Sequence, residues 1–186
     1  MTANPGLIAN VIQKMHKRKS KSFERLQFAP NYQKSKRFLL LWNNNLTESN
    51  KRLVQQFIQE LLQDGKEVTR MIFFDVKKKE ETPLVPESNT FHTGKWDFDR
   101  LKFPKDDGLK NLLRKDYDFV ISLDTENNWY LLGMAGIAKS ACRFGLTTTA
   151  QHNQTGVFDI LLKQDTANPD LNLYLCDVKA TLKKLG

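Results

Sequence analysis

Apolar and polar positions along this chain change period repeatedly, and the changes divide it into short alternating elements. Lys36–Trp42 (KRFLLLW) is a continuous apolar run, the pattern of a strand covered on both faces. In Thr47–Gln63, Leu53, Phe57, Ile58, Leu61 and Leu62 fall on one helical stripe, Thr47 or Ser49 supplies a cap, and Asp64-Gly65 supplies a stop. Val68–Val76 (VTRMIFFDV) predicts a second strand, so strand–helix–strand implies parallel strands joined by a right-handed crossover. Further on, the pattern predicts a helix around Asp107–Lys115, a strand at Tyr117–Leu123, a helix over Asn128–Ala141, and strands at Arg143–Leu146 and Val157–Leu162. Pro169–Leu185 predicts a closing helix, although Leu171–Cys176 alternates enough for a strand.

Residues 77–105 break this rhythm. They open with KKKEE, hold Pro83, Pro86 and Pro104, and carry Phe91, Trp96, Phe98 and Phe103. A segment of this length without a period is expected to be a flap, packed by its aromatics over one sheet face. The alternation elsewhere predicts an α/β domain, a three-layer Rossmann-like sandwich with a mainly parallel sheet and an antiparallel edge. Ahead of it, Gly6 to about Leu26 predicts a helix with Leu7, Ile8, Val11, Ile12 and Met15 on one stripe, and Pro30-Asn31 marks a break. The expected organisation is a basic helical arm over residues 1–35 and a single α/β domain over 36–186, a size that suits one core.

Charge changes the picture. Nine of the 29 Lys and Arg residues, but only one of the 21 acids, lie in residues 1–37, so the net charge of +8 belongs to the arm and the two residues after it, and residues 38–186 balance. A localised block of like charge focuses a positive potential and draws a polyanion. Lys14, Lys17, Arg18, Lys19, Lys21 and Arg25 are the candidate phosphate contacts, made without base specificity. The leading expectation is a non-enzymatic binding protein whose arm touches RNA or a ribonucleoprotein surface. The apolar stripe beside the same lysines gives a second expectation, a peripheral protein anchored on an anionic membrane surface by an amphipathic helix. No stretch approaches the roughly 18 apolar residues of a membrane span, and the order of apolar and basic residues is not that of a secretion signal. The expected location is the cytoplasm, with the inner membrane face as the peripheral alternative.

A third expectation is a minimal transferase-like enzyme, because ligands of open parallel sheets sit outside the carboxyl ends of strands. Asn43, Asn44 and Asn45, then Asp75, then Asp124 and Glu126 follow three such ends and form a candidate small-ligand crevice. There Asp124 and Glu126 would act as an acid/base pair or hold a hard cation. The same residue types also make caps and tight turns, which is the reading preferred for them. His92 and His152 sit in polar turns with no partner spacing of a catalytic triad. Gly133, Gly136, Ala138 and Ala141 allow close helix packing, without the glycine spacing of a dinucleotide loop or a GK[ST] phosphate loop. Cys142 and Cys176 lie far apart among apolar neighbours, so both are expected to be buried thiols, with no disulfide or zinc site. No catalytic residue, metal or cofactor is assigned.

The YDFVISLD strand, the small-residue helix after it, and RFGL leading through a turn to VFDILL resemble a small family of uncharacterised Bacteroidota proteins, classed only as a domain of unknown function. That resemblance runs from Phe38 to Leu182. The stretch YDFVISLD…AKSACRFGL is also distantly similar to the N-terminal half of heptosyltransferase-type glycosyltransferases. Ser122 stands where that family's strand has Asp, and the chain is too short for a second, sugar-nucleotide-binding domain. The likeness therefore implies the fold and not the activity, and it carries over no catalytic residue.

Overall fold

Phe38, Leu39, Leu40 and Leu41 have no accessible surface, so the run that contains them is a central strand with protein on both sides. In the computed structural model, which describes residues 14, 26, 29–76, 88–126, 128–148, 156–165 and 168–186, it is β1 (Arg37–Asn43). Helix α1 (Glu48–Gln63) follows, then β2 (Glu67–Phe74), β3 (Thr90–Gly94), α2 (Asp107–Leu113) and β4 (Tyr117–Ser122). The chain continues through α3 (Trp129–Ile137), β5 (Ser140–Thr148), β6 (Ile160–Gln164) and α4 (Leu171–Lys184). The strands form one sheet in the order β3-β2-β1-β4-β5-β6, and every neighbouring pair is parallel. The order reverses between β1 and β4, giving the doubly wound, Rossmann-like arrangement.

Side chains alternate across the strands, so each face of β1 feeds its own core. Phe38 and Leu40 pack with Phe57 and Leu61 of α1 and with Tyr174 and Val178 of α4. Leu39 and Leu41 pack with Leu113 of α2, Leu131 of α3, and Phe98 and Phe103 of the segment after β3. Phe98 and Phe103 thus cover one sheet face as the flap reading of residues 77–105 expects, whereas Phe91 is exposed in β3 and residues 77–87 lie outside the described residues. Phe98 stands edge-on to Phe73 at 6.0 Å, and Tyr130 stacks on Phe73 at 4.6 Å.

The antiparallel edge is overturned. Phe144 pairs with Ile160 and Thr148 with Gln164, both in parallel register. The return from the end of β5 to the start of β6 covers about four residues of rise, on the order of 13 Å, and residues 149–155 of it lie outside the described residues. Val157 and Phe158 in that connection are buried on the sheet. Strand β3 (TFHTG) lies inside the stretch expected to lack regular structure, and as an edge strand it shows little apolar signal. It also places His92 in a strand, 5.0 Å from the ring of Phe74, and not in a turn. Helix α3 stops at Ile137, short of the expected Ala141. Lys139 there donates its amide to Leu113 and accepts from the amide of Tyr117, which draws the chain straight into β5. Cys142 is buried as expected, whereas α4 turns Cys176 outward to solvent.

The domain is entered at the amino ends of the strands. The buried ammonium of Lys66 donates to the carbonyls of Tyr32 (2.7 Å) and Ser35 (2.9 Å) and lies 4.4 Å from the centre of the Tyr32 ring. Tyr32 also donates its hydroxyl to Asp64 at 2.5 Å and its amide to Leu185 at 3.2 Å. Residues 31–35 are thereby fastened to the last turns of α1 and α4. The amide of Leu26 donates to the carbonyl of Ser140, the first residue of β5, at 3.3 Å. Apart from Lys14, which is helical and exposed, and Leu26, the helix expected over residues 6–26 lies outside the described residues.

Gly145 of β5 lies directly under Phe158, whose ring would meet an added Cβ at 2.5 Å. Gly145→Ala should therefore destabilise the domain by about 1–3 kcal/mol through overpacking. Urea unfolding of the variant against the wild type measures it, and an unchanged midpoint would refute this account of the β5–β6 connection.

Candidate functional site

Because all six strands are parallel, every loop expected to bear chemistry leaves the same end of the sheet, and β1 and β4 lie side by side at the reversal point. Asn43 ends β1, and the amide of Asn44 donates to the carbonyl of Phe73 at 2.9 Å. Asn45 reaches across the reversal and donates its side-chain amide to Glu126 Oε2 at 2.8 Å. The loops after β1 and β4 therefore meet, as the sequence predicts.

Asp124 shapes the second of these loops. Its Oδ1 accepts the amide of Glu126 at 3.0 Å, and its Oδ2 accepts the amide of Asn128 at 2.6 Å. Asn128 in turn caps α3, its Oδ1 accepting from the amides of Tyr130 (2.9 Å) and Leu131 (3.4 Å). Burial pushes the Asp124 carboxyl up to about 6, and the two amide bonds oppose that shift without cancelling it. Below the loop, the buried hydroxyl of Tyr174 donates to the carbonyl of Ser122 at 2.9 Å. Burial first, and then the charge of Asp124, push that phenol upward.

Asp75 shares the same end of the sheet but not the same cluster. It forms an ion pair with Lys95, in the short 3-10 turn that follows β3, and this contact raises the lysine's pKa. The structure thus joins Asn45, Asp124 and Glu126 and assigns Asp75 to a separate pair. Both oxygens of Asp124 are engaged by turn amides, which makes it the brace of the entry into α3. Among the described residues, no group of three His, Cys, Asp or Glu side chains is placed to hold a metal ion.

Two depressions lie elsewhere. One, of about 240 Å³, runs between α1 and α4 past Tyr32, Glu60 and Lys179. The other, of about 290 Å³, sits beside β3 and is lined by Phe91, Trp96, Asp97 and Asp106. The latter carboxylates bind the backbone at Gly94 and Leu109, and nothing in their local sequence spacing marks a pocket. Of the candidate arm contacts, Lys14 is exposed, and Lys17, Arg18, Lys19, Lys21 and Arg25 lie outside the described residues. The segment that leads from the arm enters at the amino ends of the strands. The candidate crevice is at the carboxyl ends, about 20 Å away along a seven-residue strand.

A carboxyl group raised by burial binds its proton more tightly in the folded protein than in the unfolded chain. The contribution of Asp124 to stability is therefore full below its unfolded value of 3.8 and is lost as pH rises through about 6. A carbon-detected NMR titration should find the Asp124 carboxyl changing near pH 6. A midpoint near 4 would contradict burial as the dominant influence on this carboxyl.

Comparison with curated proteins and comparison with solved structures each return no match. A family profile, described as a family of unknown function (DUF6913), matches residues 9–185, nearly the whole chain, including the stretch from Lys14 to Arg25. The chain belongs to that family of unknown function.

Proposed function

We propose that this protein is a non-enzymatic binding protein that uses its basic N-terminal arm to contact RNA or a ribonucleoprotein surface. The observation that carries the proposal is the charge asymmetry, nine bases against one acid in residues 1–37 and balance thereafter. The body supports it by meeting many of its own charges locally. Lys51 pairs with Glu48, Lys110 with Asp107, Lys139 with Asp116 and Lys179 with Glu60, all within residues 38–186. The family match over residues 9–185 spans the positions of these bases. Phosphates neutralised by Lys14, Lys17, Arg18, Lys19, Lys21 and Arg25 would release condensed counterions, which is the source of sequence-independent affinity.

A minimal transferase-like activity at Asn43–Asn45, Asp75 and Asp124–Asn128 is the weaker reading. The carboxylate best placed for acid/base work, Asp124, is already committed to two backbone amides, and Asp75 is committed to Lys95. For the membrane reading, no helix among the described residues is long and apolar enough to cross a bilayer.

Replacing those six arm residues together with Gln should weaken binding to a single-stranded RNA at least about a hundredfold at 0.1 M salt. It should also flatten a log–log salt slope of about −4, the value for roughly six phosphate contacts on a single strand. Filter binding across a salt series measures both. Equal binding by the variant would overturn the proposal, and attachment to anionic vesicles with no RNA binding would replace it with the peripheral-membrane alternative.

A further inference from the structure

Bases other than the six candidate arm contacts also gather at one end of the sheet. Lys34, Lys36 and Arg37 lead into β1, Arg114 and Lys115 close α2 before β4, and Lys183 and Lys184 close α4. All seven are exposed, and none makes an ion pair among the described residues. Parallel strands and returning helices place all of them at the amino end of the sheet. They lie on both sides of the arm's point of attachment. On one side, the amides of Lys36 and Arg37 donate to Asp118 of β4, which puts both residues beside the α2–β4 junction. On the other, Tyr32 is bonded to Leu185, directly after the two lysines of α4.

The acids at this end are largely occupied. Asp116 pairs with Lys139 at 2.9 Å, Glu60 with Lys179 at 2.7 Å, and Asp64 accepts the Tyr32 hydroxyl. Asp118 accepts the amides of Lys36 (2.6 Å) and Arg37 (2.8 Å), and Glu67 is exposed. A structural explanation covers part of the basic set, since cations in the last turn of a helix offset its macrodipole by about 0.3–1 kcal/mol each. That explanation accounts for Lys183 and Lys184. It does not account for Lys34, Lys36 and Arg37, which belong to no helix.

We infer that the amino end of the sheet is the second half of the RNA-contacting surface, acting together with the bases of the arm. This rests on the arm reading above. The body's bases supply further backbone contacts, with Arg37 and Arg114 able to grip phosphate in two-pronged fashion. The partner is RNA and not a lipid surface. The exposed large apolar side chains among the described residues, Leu62, Phe91 and Leu173, belong to the end of α1, to β3 and to the start of α4. Of these, Leu62 alone stands at the amino end, and one apolar side chain makes no insertion patch.

The test compares two triple variants of the full chain with its arm intact. Lys115, Lys183 and Lys184 changed to Gln neutralise the amino end. Arg52, Arg100 and Lys105 changed to Gln remove the same charge near the carboxyl end. Thermal melts check that both fold as the wild type does. With single-stranded RNA at 0.1 M salt, the amino-end variant should bind about tenfold to a hundredfold more weakly and lose about 2 from its salt slope, while the other changes by less than about threefold. Equal effects of the two variants would overturn the inference and leave the arm reading standing. No RNA binding by the wild type would overturn both. Loss of binding in the amino-end variant with none in the arm variant would support the face and reject the arm as a contact. Anionic vesicle binding lost in the amino-end variant, with RNA binding intact, would overturn RNA as the partner of this face.

Discussion

Burying Phe38 to Leu41 on both faces of one strand constrains nearly everything else in this molecule. A strand with no solvated face needs a layer of helix or flap on each side, and its neighbours must be parallel if each connection is to return over the sheet. Once β2, β4 and their outer neighbours align with β1, the sheet has two chemically distinct ends. One receives the loops after the strands, and the other receives the chain from the arm and the last turns of the helices. The lysine buried at the start of β2 completes this arrangement. Lys66, held by the carbonyls of Tyr32 and Ser35, fastens residues 31–35 to the amino end.

That separation gives the two candidate sites different standing. At the carboxyl end, Asn45 and Glu126 do meet over the reversal point, yet the polar groups there are spent on local structure. Asp124 braces a turn, Asn128 caps α3, and Asp75 holds Lys95. At the amino end, bases outnumber the acids that could neutralise them, and the surplus is exposed. Hydrogen bonds satisfied within the fold have little left for a ligand, whereas an unpaired surface cation retains its full attraction for phosphate.

The elements with a strong period were readable in the sequence. KRFLLLW is β1 within one residue, the stripe from Leu53 to Leu62 is α1, and YDFVIS is β4. The closing segment is the helix expected over Pro169–Leu185 and not the strand its alternation allowed. What could not be read depended on tertiary contact. Strand β3 is polar because an edge strand buries little, and it exists through pairing with β2. At the parallel β5–β6 edge, Phe158 packs on Gly145, a contact between residues 13 apart that no local period reports. The end of α3 is set by bonds to Leu113 and Tyr117, which a helical stripe cannot report. At the site, the convergence of Asn45, Asp124 and Glu126 was legible from strand ends alone. Its occupation by turn amides was not, and neither was the gathering of Lys34, Lys115 and Lys184 from distant parts of the sequence onto one surface.

Photocrosslinking of the intact protein to a uridine-rich RNA, with the linked peptides mapped by mass spectrometry, tests the central claim most directly. The account predicts crosslinks in residues 14–37 and beside Lys115 and Lys184, with the loops at Asn45 and Glu126 unlabelled. Crosslinks concentrated at those two loops, or none above background, would contradict it.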